Sequence, residues 1–165
     1  MVRADAEAKQ LDIQFQLNAA VSRANGDPAR LQQVFWNLLQ NAVKFTAANG
    51  RITISSQNNA SGKLVLQVQD TGIGIDATTI PRIFNAFDEG GLDARCLSRG
   101  LGLGLAISKA IIDGHEGKIE AHSEGKGQGS KFAIELPTVS ESGSHNIRPE
   151  QPASASVDGE LSHRT

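Results

Sequence analysis

NLLQNAVKFT, residues 37–46, is the stretch that decides the fold of this chain. It lies in a longer run that opens with Asp27, which can cap a helix, and Pro28, which suits the first helical position. Apolar residues recur at helical spacing along the run to about Phe45, namely Leu31, Val34, Phe35, Leu38, Leu39 and Ala42. The pattern predicts a long amphipathic helix.

The polar residues of this helix share one face. Asn37 and Asn41 are four residues apart, and Lys44 follows three residues later. An asparagine oxygen is a hard ligand suited to Mg²⁺, an ion that usually binds one or two protein oxygens, phosphates and water. Lys44 offers a charge for phosphate, and Phe45 could pack near a nucleotide base. The alternative is an ordinary solvated polar face.

A second motif, DTGIGI at residues 70–75, follows a predicted strand, Lys63–Asp70. A carboxylate at the strand end can accept a hydrogen bond from the exocyclic amine of adenine and would reject guanine. Gly72 and Gly74 allow the backbone to approach a base closely. The alternatives are a simple turn, or an aspartic protease site, which would need a second matching lobe or a dimer.

A third motif, RGLGLGLAI at residues 99–107, leads into a predicted helix, Gly104–Asp113. Free backbone N–H groups at a glycine-rich helix start can bind an anion. No Walker loop and no GxGxxG pattern occurs, so neither a P-loop nor a Rossmann site is indicated. The alternative is a flexible hinge into an amphipathic helix.

A fourth motif, IFNAF at residues 83–87, lies between the second and the third. We expect Phe84 and Phe87 to pack beneath a lid formed by residues 89–99. Arg95 and Arg99 could reach phosphates from that lid, although solvent-exposed arginines are the commoner outcome.

The other segments complete the expected fold. Further predicted elements are strands at Ile13–Leu17, Ala20–Arg23 and Arg51–Ser55, a short helix at Ile80–Phe87, a helix end at Gly114, and a hairpin of Lys118–Ser123 with Lys131–Leu136 across residues 125–129. Helices and strands mix without a strict βαβ rhythm. This favours an α+β two-layer sandwich, with helices covering one face of a mixed, mostly antiparallel sheet.

Length and composition suggest one domain with an appendage. Of 165 residues, we assign 1–137 to the domain, with its ordered part starting near residue 8, and 138–165 to a flexible tail or interdomain linker. The latter segment holds six serines and two prolines and few large apolar residues. The polar opening, with the only methionine at its start, suggests an excised piece of a longer protein.

Charge and cysteine content exclude several classes. The net charge of −2 gives no attraction to nucleic acid or anionic membranes. The single cysteine, Cys96, cannot form an internal disulfide, and no apolar run approaches the roughly 18 residues of a membrane helix. We therefore expect a cytoplasmic domain whose parent protein could be membrane-anchored.

The order and spacing of the four motifs resemble the N, G1, F and G2 boxes of the sensor histidine kinase catalytic domain, which shares a superfamily with gyrase B, Hsp90 and MutL. The resemblance covers about Lys9 to Pro137. It implies an α/β sandwich that holds Mg-ATP between the first-motif helix, the lid and the glycine-rich segments.

The resemblance also implies roles for individual residues. Asn41 would be the principal Mg²⁺ ligand with Asn37 supporting it, Lys44 would contact phosphate, and Asp70 would read adenine. The implied catalytic residues are Asn37, Lys44 and Arg99. The implied nucleotide-binding residues are Asn41, Lys44, Phe45, Asp70, Gly72, Gly74, Ile75, Phe84, Gly100, Leu101, Gly102, Leu103 and Gly104.

Position 37 separates the subfamilies. The superfamily's ATPases carry a glutamate there as general base, whereas Asn37 cannot take a proton at neutral pH. This favours phosphoryl transfer to a histidine of a separate dimerisation and phosphoacceptor domain of the parent, with a response regulator receiver domain downstream and the isolated domain monomeric. His115-Glu116 is a poor phosphoacceptor because Gly114 and Gly117 flank it, so we expect a structural role there.

Two departures from the family pattern keep alternatives open. Leu101 stands where many members have serine or threonine, and Asn85-Ala86 stands where Glu-Pro is common. The alternatives are an ATP-binding regulatory module with degenerate activity, a serine kinase of the anti-sigma-factor type and, least favoured, an ATPase.

Overall fold

A computed structural model of the chain describes residues 2–85 and 103–139. The elements in these ranges are, in chain order, α1 (Val2–Ala8), β1 (Asp12–Leu17), α2 (Pro28–Phe45), β2 (Arg51–Asn58), β3 (Leu64–Asp70), a 3₁₀ turn (Ile80–Arg82), α3 (Gly104–Gly114), β4 (Lys118–His122) and β5 (Ser130–Leu136).

The five strands form one mixed sheet in the order β1-β2-β3-β5-β4. β1 pairs with β2 in parallel, and the other three neighbouring pairs are antiparallel. Helices α2 and α3 pack against each other and onto the sheet. The predicted α+β sandwich with a mostly antiparallel sheet is therefore confirmed.

The long helix forms where its sequence predicts. The Asp27 carboxylate caps α2 by accepting the backbone N–H groups of Ala29 and Arg30 at 2.9 and 3.2 Å. The face towards the sheet is buried through Val34, Leu38, Ala42 and Val43. The opposite face keeps its polar residues, so the helix carries the first motif along the outside of the core.

The core lies between these helices and alternate strand positions. Ile52, Val68, Ile134 and Phe132 point from β2, β3 and β5 towards the helices, and α3 contributes Ile112. The alternation places Asp70, two residues after Val68, on this buried side of the sheet. The core therefore extends to the carboxylate that the sequence assigns to the site.

The strand β1 is largely exposed. Phe15 and Leu17 remain 66% and 63% exposed. Phe15 and Trp36 line a groove of about 550 Å³ between α1, α2, β1 and β2. None of the predicted site residues that the structure describes lines that groove.

The predicted strand at Ala20–Arg23 is wrong. The β1 ladder ends where Asn18 donates its backbone N–H to the Ser56 carbonyl, and the Asn58 side chain then takes both backbone groups of Val21. A side chain thus bonds the backbone N–H and carbonyl groups that a neighbouring strand would otherwise have bonded. Just after this segment, Ala24 forms an isolated β-bridge with Thr138.

Helix α1 was not predicted. Its sequence, VRADAEA, offers a single buried residue, Ala6, with Val2 partly buried against the core. Three alanines favour helix but produce little apolar periodicity. The ordered part therefore starts before residue 8.

One predicted helix, one helix end and the start of the predicted tail also differ from expectation. A 3₁₀ turn of three residues replaces the described part of the predicted helix Ile80–Phe87, and residues 86 and 87 lie outside the described ranges. α3 includes Gly114, and the left-handed residue that turns the chain is Glu116, with φ 55°. Thr138 and Val139 hydrogen-bond to Gly62 and Arg23, and the rest of the predicted tail lies outside the described residues.

We expect Leu38→Ala to lower the free energy of unfolding by about 2–5 kcal/mol, because Leu38 is only 1% exposed at the centre of the core. Leu17→Ala is the matched control: the same side chain is removed from an exposed position, with an expected change below about 1 kcal/mol. Urea unfolding followed by fluorescence of Trp36, the chain's one tryptophan, measures both. Equal costs at the two sites would contradict this assignment of the core.

Candidate active site

The site is organised around a buried carboxylate at the end of β3. Asp70 is only 4% exposed. Its Oδ1 accepts the backbone N–H of Gly72 at 2.8 Å, and its Oδ2 accepts the hydroxyl of Ser130 at 2.5 Å. These two hydrogen bonds hold Asp70 in one orientation. Each carboxylate oxygen has a second lone pair, so Asp70 can still accept a hydrogen bond from a ligand.

The turn after Asp70 lies directly against the end of α2. The Ile73 backbone N–H donates to the Phe45 carbonyl at 3.2 Å. A Cβ at Gly72 would lie 2.4 Å from that same oxygen, so only glycine fits here. The close approach brings the second motif to the C-terminal end of the first.

The loop between β4 and β5 supports this turn from the other side. Gly127 and Gly129 donate their N–H groups to the carbonyls of Ile73 and Gly72 at 2.6 and 3.1 Å. Gly74 has φ 72°, and a Cβ there would lie 2.0 Å from the carbonyl oxygen of Gly125 in the same loop. Glycine is therefore required at position 74 by conformation and by space.

Ser123 fixes the base of the same loop. Its hydroxyl donates to the Gly129 carbonyl at 2.6 Å and accepts the Ile75 N–H at 2.9 Å. Ile75 also packs partly buried against the core. The predicted site residues Gly72, Gly74 and Ile75 thus belong to one hydrogen-bonded unit.

Asp76 shapes the chain after this unit. The hydroxyl and the backbone N–H of Thr78 donate to its carboxylate at 2.6 and 3.0 Å, and Lys126 adds a positive charge. These interactions hold the pKa of Asp76 below its usual value, the Thr78 hydroxyl contributing most. The ionised carboxylate is therefore favoured, and it accepts both Thr78 donors in this turn.

The two asparagines of α2 differ in what they contact. Asn37 donates its amide N–H groups to the Gly104 carbonyl at 3.0 Å and to the Ser108 hydroxyl at 3.2 Å, joining α2 to the start of α3. Only its oxygen remains for a ligand. Asn41 is half-buried, and its amide makes no hydrogen bond within residues 2–85 and 103–139.

Lys44 lies outside the hydrogen-bonded unit. It is exposed, with its ammonium nitrogen 4.9 Å from the centre of the Phe45 ring. At this distance the cation interacts with the ring face. Lys44 and Phe45 thus form a pair at the end of α2, next to the Asp70 turn.

The remaining predicted residues fall into two groups. Phe84 packs edge-to-face on Phe132, with ring centres 6.4 Å apart, and Leu103 and Gly104 lead into α3. The others lie outside the described residues: Arg99, Gly100, Leu101 and Gly102, together with Phe87, Cys96 and the predicted lid with Arg95.

Three residues at or beside the site were missed by the sequence analysis. Ser130 is the cross-strand partner of Asp70, and Ser123 organises the β4–β5 loop. Lys9 donates its ammonium group to three carbonyls at the end of α2. The Gly-Ser step that opens β5 could have identified Ser130 if β3 and β5 had been paired, whereas no sequence signal identifies the contacts of Lys9.

The chemistry of this edge fits a nucleotide with its metal. A buried acceptor, a glycine turn without side chains and two amide oxygens lie on neighbouring elements. The described residues contain no cluster of three histidine, cysteine or acidic side chains that could hold a metal ion by itself. A metal here would need amide oxygens and ligand phosphates, as Mg²⁺ accepts.

His115 has the structural role expected of it. Its Nδ1 lies 2.7 Å from the Ile111 carbonyl, and its Nε2 accepts the Asp27 backbone N–H at 3.0 Å. This arrangement assigns the ring proton to Nδ1 and joins the end of α3 to the start of α2. Both ring nitrogens are used within the protein.

Among the described residues, no helix combines the length and hydropathy needed to cross a membrane.

Residues 26–140, more than half of the chain, match the family of histidine kinase-, DNA gyrase B- and HSP90-like ATPases.

Curated relatives include the circadian input-output histidine kinase CikA of Thermosynechococcus vestitus, 37% identical over 86% of this chain and 19% of CikA. Another is the sensor histidine kinase RcsC of Escherichia coli, 42% identical over 68% of this chain and 12% of RcsC. The chain thus spans less than a fifth of either relative.

Solved structures resemble the fold closely. Full-length ShkA in complex with AMPPNP has a TM-score of 0.70 and 31% identity, over 82% of this chain and 27% of that one. The histidine kinase ThkA in complex with the response regulator TrrA has a TM-score of 0.66 and 29% identity, over 83% and 37%. The chain therefore belongs to the family of histidine kinase-, gyrase B- and HSP90-like ATPases, as the catalytic ATP-binding domain of a histidine kinase.

Proposed function

We propose that this domain binds Mg-ATP and transfers the γ-phosphoryl group to a histidine on the dimerisation and phosphoacceptor domain of its parent kinase. A response regulator receiver domain would then take up the phosphoryl group. The observation that carries the proposal is the buried Asp70 carboxylate, oriented by Gly72 and Ser130 beside the end of α2. The AMPPNP complex of ShkA and the response regulator complex of ThkA support it by relationship.

Each part of the site has a distinct role in this proposal. Asp70 accepts the adenine amine, the Gly72 turn leaves space for the base, and Phe45 packs nearby. Asn41, supported by the Asn37 oxygen, would hold Mg²⁺, which offsets phosphate charge when bound. Lys44 and, from the segment outside the described residues, Arg99 would contact the phosphates.

Asn37 is the reason for favouring transfer over hydrolysis. An amide cannot remove a proton from water, and here its N–H groups are committed to the Gly104 carbonyl and the Ser108 hydroxyl. Phosphoryl transfer depends mainly on positioning and on charge stabilisation, so no base from this domain is needed.

We place the parent's reaction in the cytoplasm, treat residues 1–137 as the catalytic unit, and expect the isolated domain to be monomeric.

We expect Asp70→Asn to weaken binding of a non-hydrolysable ATP analogue by about 10- to 100-fold, the effect of losing a hydrogen bond to a charged group. Because the Gly72 N–H needs an acceptor, the amide oxygen takes the Oδ1 position and an NH₂ group replaces the acceptor at Oδ2. Calorimetric titration with Mg²⁺ present measures the dissociation constant.

Asp113→Asn is the control for Asp70→Asn, since it neutralises an exposed carboxylate of α3 that is paired with Lys109. Its affinity should equal that of the unmodified chain. An Asp70→Asn variant that binds as tightly as this control would remove Asp70 from the adenine pocket.

We expect Ser130→Ala to weaken the same binding by about 3- to 10-fold, less than Asp70→Asn, because it removes one neutral donor that orients the carboxylate. The smaller loss should appear in the affinities for ATP and ADP alike, since both contain adenine. A loss restricted to ATP would place Ser130 at the phosphates instead.

We expect Asn41→Ala to lower phosphoryl transfer to the parent's phosphoacceptor domain by about 100-fold, because the proposed metal ligand is lost. Asn18→Ala, which removes an exposed amide at the end of β1, is the control and should leave the rate unchanged. Transfer is followed with labelled ATP supplied with Mg²⁺.

The chemistry of the product tests the class of enzyme. A phosphohistidine is acid-labile, whereas acid-stable label on serine would indicate the anti-sigma-factor type. ATP binding without any transfer would favour a degenerate regulatory module, and rapid steady-state hydrolysis would favour an ATPase.

A further inference from the structure

The side chain of Lys9 reaches from the turn between α1 and β1 to the end of α2. Its ammonium nitrogen lies 2.6 Å from the Val43 carbonyl, 3.0 Å from that of Lys44 and 2.8 Å from that of Thr46. An ammonium group has three N–H donors, and each has an acceptor here. Lys9 therefore closes the C-terminal end of α2 from a distant part of the sequence.

The last carbonyls of a helix have no partner within the helix. In α2 the Ala42 carbonyl is bonded by the N–H and hydroxyl of Thr46, and the next two carbonyls are bonded by Lys9. The last, that of Phe45, is bonded by Ile73. Lys9 and the Asp70 turn thus hold adjacent peptide groups of one helix end.

The backbone of Lys9 is fixed as well. Its N–H donates to the Asp5 carbonyl at 3.1 Å, and its carbonyl accepts the Asn49 N–H at 2.8 Å. The ammonium group is thus attached to an anchored main chain. A positive charge at this end of the helix also interacts favourably with the helix dipole.

The contact leads directly to the adenine-reading carboxylate. Lys9 holds the carbonyls of Lys44 and Thr46 on either side of Phe45. The Phe45 carbonyl in turn accepts the Ile73 N–H and occupies the space that a Cβ on Gly72 would need, and the Gly72 N–H orients Asp70. A shift of the helix end would therefore move the group that orients the carboxylate.

We propose that Lys9 is a positioning residue of the nucleotide site, which sets the end of α2 against the Asp70 turn without touching the nucleotide. The inference rests on the proposed function of Asp70 as the adenine acceptor. It also couples α1, and whatever polypeptide acts on α1 in a parent kinase, to the affinity for nucleotide.

We expect Lys9→Met to weaken binding of the non-hydrolysable ATP analogue about 5- to 10-fold and to speed amide hydrogen exchange at Ile73 about tenfold. Lys9→Arg, which keeps a cation with several donors, should recover most of both. Calorimetry measures the affinity, and NMR-detected exchange measures the opening of the Ile73–Phe45 hydrogen bond, at a temperature where urea unfolding shows every variant to be folded.

Lys63→Met is the matched control. Lys63 is also half-buried, and its ammonium group bonds Glu135 at 2.8 Å at the start of β3, far along the strand from Asp70. We expect it to change neither the affinity nor the exchange at Ile73, whatever it does to stability.

Two results separate the possible failures. If Lys9→Met loses stability but keeps the affinity and Ile73 exchange of the unmodified chain, Lys9 is a helix cap only and the inference is overturned. If the unmodified chain binds no nucleotide, the proposed function fails, and faster exchange at Ile73 in Lys9→Met alone would still establish the link from Lys9 to the turn.

Discussion

The hydrogen bond from the Ile73 N–H to the Phe45 carbonyl, at 3.2 Å, joins the helix layer to the end of the sheet. It forms because the backbone at Gly72 can lie against that carbonyl, where a Cβ would be only 2.4 Å from the oxygen. The end of α2 and the turn after β3 thus lie next to each other in space. The relative position of the amide-bearing helix and the acidic strand end depends on this contact.

A buried carboxylate needs such a setting. Removing Asp70 from water is costly unless its oxygens are hydrogen-bonded, and the Gly72 N–H and the Ser130 hydroxyl meet that need. Both donors belong to segments that are themselves fixed, one by the end of α2 and the other by the β3–β5 ladder. The orientation of Asp70 therefore relies on backbone geometry supplied by three elements far apart in sequence.

The glycines of the β4–β5 loop complete this geometry. The N–H groups of Gly127 and Gly129 satisfy the carbonyls of Ile73 and Gly72, and Ser123 ties the loop to its own base. The turn after β3 is thus held from the helix side and from the loop side. Such double support is what a site needs to keep a ligand-binding group in one orientation.

Local patterns were sufficient for the strongest elements. The capped, periodic run of α2 was predicted correctly as a helix, and the strands that form β3 and β5 were predicted within one residue of their observed bounds, with Asp70 at the end of β3. Prediction failed where a tertiary contact replaced a local signal. The Asn58 side chain hydrogen-bonds to the backbone N–H and carbonyl of Val21, where a neighbouring strand was predicted to pair. The helix α1 is too short and too rich in alanine to show a periodic pattern.

The sequence by itself determined the fold class, the family through its four ordered motifs, and the residue types of the proposed nucleotide and Mg²⁺ site. Only the tertiary structure decided how Asp70 is oriented, that the amide of Asn37 is shared with α3, and that Lys9 closes α2. The physical reason is the range of the interactions. Periodicity and capping act within a few residues, whereas hydrogen bonds between distant segments depend on how the whole chain packs.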